Sequence, residues 1–224
     1  MAWGKIERVR SRTRDVEVPA GEVRLPGDLT IPDAPKGAVV FAHGSGSSRL
    51  SPRNRRVAGT IVEAGLSTLL FDLLTPREAA DRSKVFDIEL LAGRLLAATR
   101  WLRHEPEVGV MPVGYFGAST GAAAALWAAA EPDSRVAAIV SRGGRPDLAG
   151  DRLELVTAPT LLIVGGEDAT VLELNRQALS RLAGEKDVIV VPGAGHLFEE
   201  PGALEVVSHW ATGWFVGHLT GVAT

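Results

Sequence analysis

The stretch Pro112-Val-Gly-Tyr-Phe-Gly117-Ala-Ser-Thr-Gly121-Ala-Ala-Ala-Ala-Leu-Trp-Ala-Ala-Ala130 decides the fold class. A short apolar run, Pro112 to Phe116, meets Gly117-Ala118-Ser119-Thr120-Gly121, and an alanine-rich helical segment follows at once. The first part reads as a strand buried on both faces, the last as a helix, and the join matches G-x-S-x-G. A serine on so tight a strand-to-helix turn has a strained backbone, and side chains two residues to either side would collide. Hence a glycine at both places. Placing Ser119 at a helix start also aims N–H groups and the positive dipole end at any negative charge developing there. The bland alternative is a glycine-rich turn with a capping serine in a chain of 25 glycines.

Working outward, the same strand signature recurs at Ala38–Ala42, Ser67–Phe71, Val136–Val140, Thr160–Val164 and Asp187–Val191. Helices are predicted between these runs. The clearest carries Ile88, Leu91, Leu95, Ala98 and Leu102 on one face; the others are Asn54–Ala64, Thr120–Ala130, Val171–Ala183 and Ala203–Leu219. Before them, Val16–Ile31 alternates polar and apolar residues and is interrupted at Ala20-Gly21 and Pro26-Gly27, the pattern of antiparallel hairpin strands. The pattern predicts an α/β fold: a doubly wound, mostly parallel sheet with N-terminal antiparallel strands. No linker, repeat or low-complexity tract divides the 224 residues, so residues 1–224 read as one domain.

Composition narrows the chemistry. The net charge of −3 supplies no electrostatic reason to expect nucleic acid or an anionic membrane. With no cysteine there is no disulfide framework, no thiolate nucleophile and no cysteine-based metal site. Clustered His and carboxylate ligands are also lacking, so no metal and no cofactor is expected. Met1–Arg8 has no apolar core of a signal peptide, and no apolar run approaches the roughly 20 residues that span a bilayer. A cytoplasmic protein is therefore expected. Arg8, Arg10, Arg12 and Arg14, spaced by two, read as the solvated face of an edge strand.

Doubly wound sheets bind ligands at the carboxyl ends of their strands. The residues there are His43-Gly-Ser-Gly46, Asp72, Gly117–Gly121, Arg142-Gly-Gly-Arg145, Gly165-Gly-Glu-Asp168 and Gly193-Ala-Gly-His196. A serine hydroxyl needs a base, and of five histidines His196, in a loop after the last strand, is best placed to reach Ser119. Asp168, after the preceding strand, would hold His196 in the productive tautomer. Glu167 is its nearest rival, and Asp168 could instead cap the helix that follows. Ser119, Asp168 and His196 stand in the chain order nucleophile, acid, base that goes with this motif.

By position, the backbone N–H groups of Ser45 and Thr120 would form an oxyanion hole. His43 reads as structural and Asp72 as a loop organiser. Arg49, Arg142 and Arg145 are candidates for binding an acidic group of a substrate. Arg142 and Arg145 could equally pair with Asp147, Asp151 or Glu154, and the Arg49 segment could be a solvated loop.

Together these motifs resemble the α/β-hydrolase superfamily, and within it the small dienelactone-hydrolase-like group, over about Val16 to Leu219. The resemblance implies a lidless hydrolase that takes a small-molecule ester or lactone through an acyl-enzyme. One departure matters: dienelactone hydrolases proper use a cysteine nucleophile, and Ser119 stands here instead. The short, polar interval Arg142–Pro159 leaves no room for a lid domain, which points to small, soluble acyl substrates. An acyltransferase, a thioesterase, an amide hydrolase or a non-catalytic binding module could share these residues. Oligomeric state is not legible.

Overall fold

The sheet opens with β1 (Ser11–Ala20), which alternates exposed and buried residues only towards its end, and β2 (Val23–Pro32), which alternates along its length, paired antiparallel around a tight turn in which Gly21 takes φ 68°. The computed structural model describes residues 9–221, so the Met1–Arg8 targeting reading and Arg8 itself lie outside the described residues. The second expected break, at Pro26-Gly27, is absent: both residues stay within β2. The reason is position. Pairing of β2 with β4 (Ser67–Phe71) begins at Gly27, so the missing Pro26 N–H falls just outside that ladder. A Cβ at Gly27 would approach Phe71 Cβ to 3.0 Å, so glycine lets the two strands close. β1 is an edge strand, as the arginine stripe predicts, and Arg12 and Arg14 pair with Glu107 and Glu105.

The apolar runs become β3 (Ala38–Ala42), β4, β5 (Val113–Ala118), β6 (Val136–Arg142), β7 (Thr160–Gly165) and β8 (Lys186–Val191). The eight strands form one sheet in the order β1-β2-β4-β3-β5-β6-β7-β8, parallel from β4 to β8. Successive residues of β3 divide between its faces with the period of a strand. Val39 and Phe41 join a core under α1 (Pro52–Glu63) and α7 (Ala203–Leu219), with Val57, Ile61, Val207 and Phe215. Val40 and Ala42 join a second core under α4 (Ile88–Leu102) and α5 (Thr120–Ala129), with Leu91, Leu95, Leu126 and Tyr115. Each such large apolar side chain contributes roughly 1.5–3 kcal/mol on burial.

Helix α5 is buried on nearly every side, because α4 and a 3₁₀ segment (Pro146–Leu155) cover it. Its alanines permit that close approach. α6 (Ala169–Arg181) packs on β7, β8 and the 3₁₀ segment. Two short helices were not foreseen, α2 (Pro76–Ala79) and α3 (Arg82–Val85). The signal for the first was present: Thr75 and Glu78 form a reciprocal capping box around Pro76.

The strand order fixes where a ligand belongs. β4 lies on one side of β3 and β5 on the other, so the chain changes direction of winding there. The crevice at such a switch point, beyond the carboxyl ends of β3 and β5, is flanked by the His43 and Ser119 loops.

Candidate active site

Ser119 sits between β5 and α5 with φ 51° and ψ −120°, a strained conformation for a residue with a side chain. Its two glycines are there for space. A Cβ at Gly117 would lie 2.7 Å from Ala122 N, and one at Gly121 would lie 2.5 Å from the His43 carbonyl oxygen. Both distances are far inside contact, so the turn closes only without those side chains.

His196 follows β8 and meets Asp168, which follows β7. The His196 Nδ1 to Asp168 Oδ2 distance is 2.7 Å, and Asp168 is the more buried partner. Asp168 opens α6 without capping it, so its carboxylate is free for the imidazole. Glu167 is exposed and its carboxylate makes no hydrogen bond among the described residues, while its N–H is bonded to the Ala194 carbonyl. Ser119 and His196 rest on one loop. The Ser119 N–H donates to the Arg142 carbonyl, and the Ser119 carbonyl accepts from the Arg145 N–H. A Cβ at Gly143, inside that loop, would lie 3.7 Å from His196 Cε1. The sole side-chain hydrogen bond of His196 among the described residues is to Asp168. A hydroxyl–imidazole bond in a substrate-free site is often long and tightens on binding.

Two residues that hold the His196 loop went unnoticed in the sequence. Glu200 accepts the Gly195 N–H at 2.9 Å, and backbone amides, its own and that of Gly195, lower its pKa. Phe198 is buried at φ 56° and anchors the loop in the α7-side core. A carboxylate four residues past a loop histidine was the available signal for Glu200.

On the other side of Ser119, the His43 ring is buried and fully paired. Nε2 accepts the Leu73 N–H at 3.0 Å, which leaves Nδ1 to donate to the Gly44 carbonyl. Burial, the largest influence, lowers the His43 pKa, so the ring is a neutral strut. Asp72 organises the loop by accepting from the Arg49 backbone and from Arg49 Nη1. Thr120, the first residue of α5, has an N–H without an intrahelical acceptor. The Ser45 N–H, expected to be a second free donor, is committed to Thr120 Oγ1 at 2.9 Å. That corrects the expectation: the Thr120 side chain leans over the loop and takes the amide first.

The three arginines separate. Arg49 is engaged by Asp28 and Asp72, and Arg145 forms a two-point pair with Asp147 that raises its pKa. Both guanidinium groups are thus partnered by carboxylates, Arg145 in the Asp147 pair that was its alternative reading, while Arg49 also lines the cavity described below. Arg142 differs. It is 7% exposed, its Nε and Nη1 have no hydrogen-bond partner among the described residues, and it lies over the Phe198 ring at 5.9 Å. Burial first, and the Arg53 charge second, lower its pKa to about 10.

A cavity of about 460 Å³ opens beside the Ser45–Thr120 contact. Leu73, Leu74, Pro76, Ala79, Val85 and Leu91 form its apolar side, so α2 and α3 partly enclose it, and the Ser45–Arg49 loop with Asp72 and Thr120 forms its polar side. Among the described residues no group of three His or carboxylate side chains could hold a metal, and no helix is long and apolar enough to cross a membrane.

Comparison with known proteins agrees with this fold. The model of the alpha/beta hydrolase family matches residues 7–207. A crystal structure of a dienelactone hydrolase from Anabaena variabilis is 54% identical, with TM-score 0.90 over 93% of this chain and 99% of that one. Est1E from Butyrivibrio proteoclasticus, at 14% identity and TM-score 0.78 over 91% of this chain and 98% of that one, shares the fold. A Mycobacterium tuberculosis protein provisionally named phosphoribosyl transferase is 61% identical over 210 residues, 94% of this chain and 47% of that protein. The chain thus spans about half the length of that relative.

Proposed function

The chain belongs to the alpha/beta hydrolase family, in its dienelactone-hydrolase-like part, and from that premise we propose that it is a serine hydrolase of small carboxylic esters or lactones. The observation that carries the reading is the 2.7 Å His196–Asp168 pair, resting on the same loop as the strained Ser119. In this reading Ser119 Oγ attacks the carbonyl carbon while His196 Nε2 takes its proton. The tetrahedral intermediate collapses, the leaving alcohol receives that proton, and an acyl-serine remains. Water, deprotonated by His196, then releases the acid and restores Ser119. Asp168 holds the Nδ1–H tautomer and steadies the imidazolium throughout. The mycobacterial relative's transferase name attaches to a protein about twice as long, so the reading rests on residues of this chain.

The cavity favours compact acyl groups. At about 460 Å³, with leucines and a proline on one side and the polar Ser45–Arg49 loop on the other, it suits a small acyl group better than a long lipid chain. Arg142 is assigned to an acidic group of the substrate. A buried guanidinium with no carboxylate partner among the described residues is costly, and an arriving anion relieves that cost.

The test is a panel of p-nitrophenyl esters of increasing chain length, with lactones, thioesters and amides, run on wild type and Ser119→Ala. Short esters or lactones should lead, and Ser119→Ala should abolish turnover and fluorophosphonate labelling. Leading turnover of thioesters or amides would move the assignment to those classes, and transfer to added alcohols would make it an acyltransferase. Labelling without turnover of any member would indicate a binding module. Arg142→Met should lower kcat/KM for a carboxylate-bearing ester and spare its neutral counterpart; equal losses on both would remove the anion role.

A further inference from the structure

The Ser45 amide stands where an oxyanion donor belongs, yet its hydrogen is taken, and the acceptor that takes it is informative. Ser45 N–H donates to Thr120 Oγ1 at 2.9 Å across 75 residues of sequence. Thr120 is 3% exposed and lines the cavity with Gly44 and Ser45. A hydroxyl has one hydrogen to give and two lone pairs. With a lone pair occupied by the Ser45 amide, the hydrogen is left to donate, and Thr120 Oγ1 donates to no acceptor among the described residues.

Direction and space agree. Along a helix the Cα–Cβ bonds tilt towards the N-terminus, so Thr120 leans to the end of α5 that carries Ser119. A Cβ at Gly44 would lie 3.0 Å from Ser119 Cβ, so the loop beside the nucleophile presents backbone alone. The Thr120 side chain is therefore the polar side chain fastened across that gap.

We propose that the Thr120 hydroxyl, held in place by the Ser45 amide, is the second oxyanion donor beside the Thr120 N–H. This rests on the serine-hydrolase reading above. As the substrate carbonyl takes on negative charge, the hydroxyl hydrogen bonds to that oxygen and no proton changes owner. The Ser45 N–H acts one bond removed: by donating to Oγ1 it polarises the O–H and strengthens its donation. One residue thus supplies two donors, from its backbone and from its side chain.

Steady-state kinetics on p-nitrophenyl acetate, with thermal melts and the affinity for a trifluoromethyl ketone analogue, test the assignment on Thr120→Val, Thr120→Ser and Ser119→Ala. Loss of one oxyanion donor should lower kcat of Thr120→Val about 100-fold with KM little changed, and weaken the ketone in parallel. Thr120→Ser keeps the hydroxyl and should recover most of that loss. If Thr120→Val does not fold, Thr120→Ala takes its place with the same expectation. Unchanged or raised kcat in the valine or alanine variant would overturn the proposal, because it would show the freed Ser45 amide to be the donor. A rise in KM alone would overturn it too. Turnover surviving in Ser119→Ala would instead defeat the serine-hydrolase reading itself, so the two failures are distinguishable.

Discussion

Adding one methyl at Gly121 should damage this protein in two measurable ways. A Cβ there would lie 2.5 Å from the His43 carbonyl oxygen and closer still to that of Ala42, where ordinary contact begins at 3.4 Å. Roughly 1 Å must therefore be absorbed by moving α5 away from the end of β3, since neither neighbour is a flexible side chain. Overpacking of this kind costs about 1–3 kcal/mol or more. For a chain of this size each kcal/mol is worth roughly 2–4 °C of melting temperature, so Gly121→Ala should lower Tm by about 5–10 °C. The displacement also falls between Ser119 and the His43–Ser45 loop, and a 1 Å misplacement at a reacting centre is worth about 100-fold in rate. Gly59, inside α1, is the control: a Cβ there meets nothing within 4 Å. Gly59→Ala should raise stability by about 0.4–1 kcal/mol with kinetics unaltered. Differential scanning calorimetry and ester kinetics on both variants decide the matter. A Gly121→Ala protein that melts and turns over like wild type would refute the claim that the elbow closes only on glycine.

Three further outcomes follow from the same geometry. Asp168→Asn should lower kcat about 10⁴-fold by favouring the wrong His196 tautomer, while Glu167→Gln stays near wild type; equal losses from both would reopen the choice of acid. Because burial lowers the His43 pKa, the unfolded chain binds the proton first, so its contribution to stability is full above about pH 6.5. It is lost as pH falls from there through the folded-state value. Urea midpoints at two pH values should thus drop more steeply for wild type than for His43→Gln, and parallel slopes would contradict this. Finally, Tyr115 is fully buried with its hydroxyl 2.7 Å from Thr99 Oγ1, and burial pushes its pKa to about 12. Tyr115→Phe should cost about 1 kcal/mol, read from denaturant unfolding, since Thr99 keeps its bond to the Leu95 carbonyl.

Legibility followed the range of the interaction. The helix Ile88–Leu102 and the strands Ala38–Ala42 and Ser67–Phe71 were read to their end residues, because their patterns repeat over two to four positions. The break expected at Pro26-Gly27 does not occur, because a proline inside a strand is tolerated or not according to where its neighbour's ladder begins. Helices α2 and α3 leave no periodic mark in the sequence, because four-residue helices carry too few positions for one. At the site, the loops to watch were evident from the sequence, and their contacts were not. Arg49, Arg142 and Arg145 look alike as letters. Two are neutralised by Asp28, Asp72 and Asp147, and one is buried without a carboxylate partner among the described residues.

What the sequence alone determined is the succession of strands and helices and the identity of the loops at the strands' carboxyl ends, since periodicity and the steric need for glycine are local properties. Only the tertiary structure decided which polar group meets which. Asp168 finds His196 across 28 residues, and Thr120 captures the Ser45 amide across 75. Such pairings depend on where separate loops land on one sheet edge, and hydrogen bonds form only over a few tenths of an ångström.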